Sequence, residues 1–311
     1  MIPQNMWPDG VRTQQDMFRF GRMMLGEHAD LQDYSNWRLP EARQDCFLFV
    51  SRGGCASGSS LGRLADCVPD LMEELVQYAL NHGQYGNAEV AFATGAAHVD
   101  SYWHCAQLTR SPCTCTFTFG GEGRSRLRRL INHSCQQWVA GRHFESVLLE
   151  TMQQNSNQAG AGDNAYLRKT FHAMLNRYRD SEYHRIGWHS DIATFKHDPI
   201  TTFNWGATGV LLMRSKRRGA TVEKVLVILP GDAYICGGGF QQNFEHSRPP
   251  ITEWAGILQQ HRHELLESEI HAMEAAIHDY AQRTDRVGCD ISVRWHTRHG
   301  LECALRNRTD A

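Results

Sequence analysis

A chain of 311 residues with 41% apolar and 21% charged side chains has the make-up of a globular protein large enough to bury a sizeable core. A formal net charge of −2 excludes a strongly basic domain, so any nucleic acid would have to be met by a local basic patch. Apolar runs of the roughly 20 residues that cross a bilayer are absent, and Met1-Ile2-Pro3-Gln4-Asn5 lacks a basic-then-apolar leader, so an intracellular, soluble protein without membrane attachment is expected.

Residues 1–60 carry little periodicity and two turn-rich segments, Ser51-Arg52-Gly53-Gly54 and Ser57-Gly58-Ser59-Ser60. Leu64, Val68, Leu71, Leu75, Val76 and Leu80 then recur at three- and four-residue steps and predict a helix over 64–80, stopped at Gly83 or Gly86. Residues 111–121 alternate and read as a strand, followed by a basic segment with Arg124, Arg126, Arg128 and Arg129. Phe144, Val147, Leu148 and Met152 predict a helix over 144–155, and 157–163 is a loop by composition.

From about 165 short strands alternate with turns: 201–214 with a break at Gly206 or Gly209, 224–229, the turn Pro230-Gly231-Asp232, and 233–236. That texture points to an antiparallel sandwich or barrel. It is interrupted by 252–284, where Trp254, Leu258, His261, Leu265, Leu266, Ile270, Met273, Ile277 and Tyr280 step by threes and fours. This predicts one long amphipathic helix, or two, packed outside the barrel; a homodimer seam through 252–284 is the sharper alternative. Residues 290–295 alternate again as a last strand.

Ten cysteines are scattered along the chain. His104, Cys105, Cys113, Cys115, His133 and Cys135 have zinc-binding donor types, but without Cys-x-x-Cys spacing they read as reduced thiols. A His-x-Asp tripeptide occurs at His28-Ala29-Asp30, His98-Val99-Asp100 and His189-Ser190-Asp191. In extended backbone its two side chains leave the same face, where one metal ion can take both. For the third copy His246, after a strand and a glycine turn, supplies a second imidazole. Two His and one carboxylate leave three open positions and suit a non-haem Fe(II) oxygenase, although zinc hydrolases use such ligands too.

Asn176-Arg177-Tyr178-Arg179-Asp180 followed by Ile186-Gly187-Trp188-His189-Ser190-Asp191 resembles the AlkB family of Fe(II)/2-oxoglutarate-dependent dioxygenases. Gly206-Ala207-Thr208, Gly231-Asp232, His246 with Pro249 soon after it, and Ile291-Ser292-Val293-Arg294 continue the resemblance, over about 165–250 and again at 291–294. It implies an α+β fold: a double-stranded β-helix, or jelly-roll, core with flanking helices and an inserted long helix before the last strand. It divides the chain into an N-terminal extension (1–90), a lid on the substrate side (91–164) and the core (165–311).

In the same resemblance His189, Asp191 and His246 hold Fe(II), while Asn176, Tyr178 and Arg294 hold 2-oxoglutarate. An arginine fork suits a planar carboxylate. The family usually has a second Arg six residues earlier, where this chain has Gly288; Arg286 shares that face only if the strand runs unbroken through Gly288. The cosubstrates implied are 2-oxoglutarate and O2, with ascorbate as a possible reductant. 2-Oxoglutarate would be decarboxylated to succinate as a methyl or alkyl C–H bond is oxidised. An N-methyl group would then leave as formaldehyde.

For substrate, the resemblance implies a base of DNA or RNA, demethylated or hydroxylated. Phe117, Phe119 and Trp188 would be stacking surfaces, and Arg124, Arg126, Arg128 and Arg129 phosphate contacts. The alternatives are a dioxygenase of the same fold acting on a protein side chain or small molecule, and a catalytically silent interaction protein.

Overall fold

The computed structural model describes residues 31–33, 46–55, 58–59, 61–81, 100–107, 117–118, 130–131, 139–158, 170–179, 185–190, 200–216, 219, 221–222, 224–238, 240–284 and 286–296. In chain order the elements are β1 (Leu31–Asp33), β2 (Cys46–Ser51), α1 (Gly62–Asn81), β3 (Asp100–Gln107), β4 (Phe117–Thr118), β5 (Leu130–Ile131), α2 (Val139–Gln158) and β6 (Thr170–Arg179). Then follow β7 (Ile186–His189), β8 (Ile200–Trp205), β9 (Gly209–Ser215), β10 (Lys224–Ile228), β11 (Ala233–Gly238), α3 (Phe240–Asn243), β12 (Phe244–Arg248), α4 (Trp254–His261), α5 (Glu267–Ala281) and β13 (Val287–His296).

The strands form a large sheet in the order β1-β2-β11-β8-β13-β6-β3 and a small one in the order β10-β9-β12-β7, with β4 and β5 paired separately. Every pairing is antiparallel. Two facing antiparallel sheets with helices outside make the α+β jelly roll that the sequence predicts. The strands β1 and β2 come from the stretch read as an extension, and β3 from the stretch read as a lid. All three nevertheless hydrogen-bond into the large sheet.

Two-residue alternation explains the layers. Leu211 and Met213 of β9 and Leu226 and Ile228 of β10 meet Leu48, Val50, Ile200 and Cys236 of the large sheet. Their neighbours Val210, Leu212, Val225 and Val227 leave the opposite face and meet Ile251, Trp254, Leu258, Ile270, Met273 and Ala276. Strands β9 and β10 are therefore buried on both faces, which is why they read as nearly continuous apolar runs.

The helical insertion is a hairpin of two helices. Between them Arg262–Glu264 makes one 3-10 turn and Leu265 is extended (φ −96°, ψ 148°). The second helix starts where the Glu269 carboxylate accepts the Leu266 N–H at 2.8 Å, satisfying a backbone donor that the helix itself leaves open. An exposed Arg262–Glu274 ion pair, 2.7 Å, spans the two helices. The apolar stripe on which a dimer seam would draw is covered by the chain's own small sheet.

The helices α1 and α2 pack together. They bury Leu64, Val68 and Leu71 on one helix and Phe144, Leu148 and Met152 on the other. The predicted spans 64–80 and 144–155 lie inside these helices. Of the strand predicted over 111–121, the described part is β4. Cys55, Cys67, Cys236 and Cys289 are buried free thiols. Of the His/Cys cluster near 104–135, Cys113, Cys115, His133 and Cys135 lie outside the described residues.

Candidate metal centre

The antiparallel pairing of β7 with β12 puts His189 directly opposite His246. Their ring centroids are 4.2 Å apart and the planes are tilted by 56°, so both imidazoles converge on one point without stacking flat. His189 Nδ1 lies 2.8 Å from the Gly187 carbonyl oxygen. A carbonyl only accepts, so this nitrogen carries the proton and the neutral ring has its lone pair on Nε2, a nitrogen through which histidine can bind a metal. A β-irregularity between His246 and Arg248 locally breaks the pairing with β7, the kind of re-aiming common beside functional sites.

Both rings line a cleft between the sheets. Its walls are Leu48, Ile186, Ile200, Leu211, Met213 and Phe240; its polar groups include Tyr178, Thr202, Tyr234, Gln241, Arg248, Asp290 and Ser292. Thr202 and Ser292, on adjacent strands, share a hydrogen bond of 3.0 Å. Arg248 is buried at the polar end. It donates to Asp290 at 2.7 Å and lies 3.5 Å over the centre of the Tyr178 ring. Gly209 makes room for it: a Cβ there would stand 2.5 Å from the guanidinium Nη2.

Burial, then the Asp290 carboxylate, raises the Tyr178 phenol well above its ordinary 10.0, so it is a neutral donor. Burial and then Asp290 push the Cys289 thiol up to about 12. Both groups are favoured in their neutral forms by the folded state. Their contribution to stability is fully present below the ordinary thiol and phenol values, 9.0 and 10.0. It is lost as pH rises through the raised folded values. Denaturant unfolding measured from neutral pH to about pH 11 is expected to show stability falling above about pH 9. The tyrosinate absorbance of two phenols, Tyr178 and Tyr234, both raised chiefly by burial, should lag until the protein unfolds; a folded protein with every tyrosine titrating normally contradicts this.

Of the residues the sequence singled out, the structure brings His189, His246 and Tyr178 into one cleft. Asp191 lies outside the described residues, and so do Phe119, Arg124, Arg126, Arg128 and Arg129. Among the described residues no group of three or more His, Cys, Asp or Glu side chains is placed to hold a metal. Asn176 is on β6 opposite Asp290 and Arg294 is on β13 opposite Ile200. Phe117 pairs with Ile131 in the separate ribbon.

Trp188 is a correction. Strand neighbours leave opposite faces, so with His189 toward the cleft Trp188 turns outward. It packs on the cluster beneath α4 and α5, with the Arg214 guanidinium 4.2 Å over its ring. Arg214 is held there by Glu245 at 2.8 Å. A base in the cleft has no access to that ring.

The gap at Gly288 has a packing cause. A Cβ there would lie 3.2 Å from the Ala207 carbonyl oxygen, and one at Gly206 (φ +77°) would lie 2.4 Å from the Val287 oxygen. The two backbones pass so closely that a side chain at 288 would press on Ala207. Arg286 reaches the C-terminal half of α5 instead, 3.5 Å from Asp279. The pair Arg248–Asp290 was not anticipated. The available signal was that residues 246 and 248 of one strand share a face.

The donor chemistry fits a divalent transition metal: two neutral imidazoles converge beside a cleft with a dry wall, and a carboxylate follows His189 two residues later in the chain. A family model described as the 2OG-Fe(II) oxygenase superfamily matches residues 132–273. A search of curated proteins found no match. Similar solved structures include OsALKBH1 (10% identity, TM-score 0.34, covering 80% of this chain and 96% of that one). A 2OG-Fe(II) oxygenase family oxidoreductase from Burkholderia pseudomallei is another (12%, 0.30, 65% and 69%). A third is a bsmA homolog from Methylobium petroleophilum PM1 (12%, 0.33, 65% and 73%). With TM-scores below 0.5 these likenesses carry no weight for substrate. The superfamily match supports an Fe(II)/2-oxoglutarate-dependent dioxygenase, an oxidoreductase that uses Fe(II), 2-oxoglutarate and O2.

Proposed function

We propose that this dioxygenase is AlkB-like and oxidises a methyl or alkyl group on a nucleobase of DNA or RNA. The observation that carries the chemistry is the pair of imidazoles, 4.2 Å apart, in the lining of one cleft. The reading of the target rests on the resemblance of 176–191 to the AlkB family.

In this reading His189, Asp191 and His246 hold Fe(II), and Asn176, Tyr178 and an arginine hold 2-oxoglutarate. The iron, when bound, supplies the oxidation that couples decarboxylation of 2-oxoglutarate to hydroxylation of a C–H bond. The protein's part is positioning and exclusion of water. The Gly187 carbonyl fixes the His189 tautomer. Tyr178, kept as a phenol, donates a hydrogen bond and no charge. Leu48, Ile186, Ile200, Leu211, Met213 and Phe240 keep the wall dry, which strengthens every polar contact inside. Phe117, Phe119 and the arginines at 124, 126, 128 and 129 would meet the flipped base and its phosphates.

The test is a mass-resolved screen of methylated single- and double-stranded oligonucleotides with Fe(II), 2-oxoglutarate and ascorbate. One oligonucleotide is expected to lose a methyl group or gain an oxygen, and its binding should weaken steeply with salt. If no oligonucleotide changes mass and none binds at low salt, while a base-free amine, peptide or small molecule stimulates succinate release, the nucleic-acid target is wrong and the oxygenase chemistry stands.

A further inference from the structure

We propose that Arg248, aimed by Asp290, is the residue that takes the carboxylate of 2-oxoglutarate remote from the metal, a role the family resemblance assigns to Arg294. The inference rests on the chain using 2-oxoglutarate, and it names which of its cations does the holding.

Three observations carry it. Arg248 brings a guanidinium into the lining of the cleft. It stands two residues beyond His246 on β12, about 7 Å along an extended strand, which is the reach of a five-carbon dicarboxylate chelated at its other end. Its guanidinium is already immobilised: Nη1 is on Asp290 at 2.7 Å, the plane rests 3.5 Å above Tyr178, and Gly209 clears the space a side chain would fill. An arginine presents five donors in a rigid fork, so Asp290 orients it while donors remain for a second carboxylate.

The arrangement also accounts for Gly288. A side chain at that position would press on Ala207, 3.2 Å from its carbonyl oxygen, and Arg248 brings a cation from the facing sheet. Asp290 acts through Arg248 and is a positioning residue. It serves a second purpose, because a buried guanidinium without a partner is costly when the cosubstrate is absent.

The test measures binding and needs no turnover. Protein loaded with Mn(II) is titrated with 2-oxoglutarate and with 2-oxobutyrate, a 2-oxo acid that lacks the second carboxylate, by calorimetry. In the double variant Arg248→Met/Asp290→Leu, which removes the buried pair together, the Kd for 2-oxoglutarate is expected to rise on the order of 100-fold. The Kd for 2-oxobutyrate should stay within about threefold. If circular dichroism shows that the double variant has not folded, Arg248→Lys decides the matter. It keeps the charge and loses the fork, and should weaken 2-oxoglutarate selectively by about tenfold. Selective loss in Arg294→Met, with the Arg248 variants binding both acids normally, overturns the proposal and returns the role to β13. If the unmodified Mn(II) protein binds neither acid, the oxygenase reading fails and takes the proposal with it.

Discussion

Replacing His246 by alanine is expected to abolish Fe(II)-dependent succinate formation while leaving the fold intact. Loss of a partner that only orients a metal ligand typically costs 10–100-fold, so loss of the ligand itself should exceed about 100-fold in activity and metal affinity alike. The fold should survive because His189 and His246 are only half-buried. The β12 backbone stays tied to β9 through the register from Phe244↔Ser215 to Ser247↔Leu212. Ser247 also holds β7 independently, donating to the Ile186 carbonyl at 2.8 Å. His189→Ala should behave alike, since the two rings meet across one register pair. The measurements are succinate release and Fe(II) binding under anaerobic conditions, with urea unfolding as the control for structure. Succinate formation at the unmodified rate in either variant, with Fe(II) still bound, would sink the assignment of the iron ligands.

The parts of this site that could be read from the sequence were those encoded locally. His189 was flagged by its neighbours within one strand, and His246 by its place after a glycine turn. Alternation also sorts β13 correctly: Asp290 and Ser292 line the cleft while Ile291 and Val293 are buried on the other face. The same rule, applied to β7, would have turned Trp188 away from the iron; resemblance to an aromatic-rich family overrode it. What no local pattern encodes is the partner of Arg248, which lies 42 residues away on the other sheet. Nor does any periodicity reveal that Gly288 abuts Ala207. Both depend on how two sheets face each other, which is a property of the assembled sandwich. The apolar period over 252–284 is legible as one long helix or two, and the extended Leu265 between the helices decides for two.

The largest effect on stability is expected at Arg52, far from the chemistry. Its guanidinium donates to the Val227 carbonyl at 2.7 Å and to Asp232 at 2.6 Å, and it pairs with Glu269 of α5. Asp232 and Glu269 are both buried, and one cation serves them. Asp232 also accepts the backbone N–H of Gly53 at 2.9 Å and of Leu229 at 2.8 Å, closing the turn at Gly231 (φ +86°). Arg52 thus ties three pieces of chain that are remote in sequence: the end of β2, the β10–β11 turn and the helical insertion. Arg52→Met would leave two carboxylates buried without it, and the expected loss is roughly 3–5 kcal/mol. Glu269→Gln should cost far less, about 1 kcal/mol, because the pairing of Arg52 with Asp232 becomes one to one and the amide oxygen still accepts the Leu266 N–H. The order is what separates this account from simple loss of contact area, since a methionine nearly conserves the apolar stem of arginine. Urea unfolding of the two variants measures it. Hydrogen exchange over 267–281 should rise first in Arg52→Met, as α5 loosens from the sheet it covers. Equal losses in the two variants would mean that Glu269, and not the excess of buried negative charge, sets the stability of this corner.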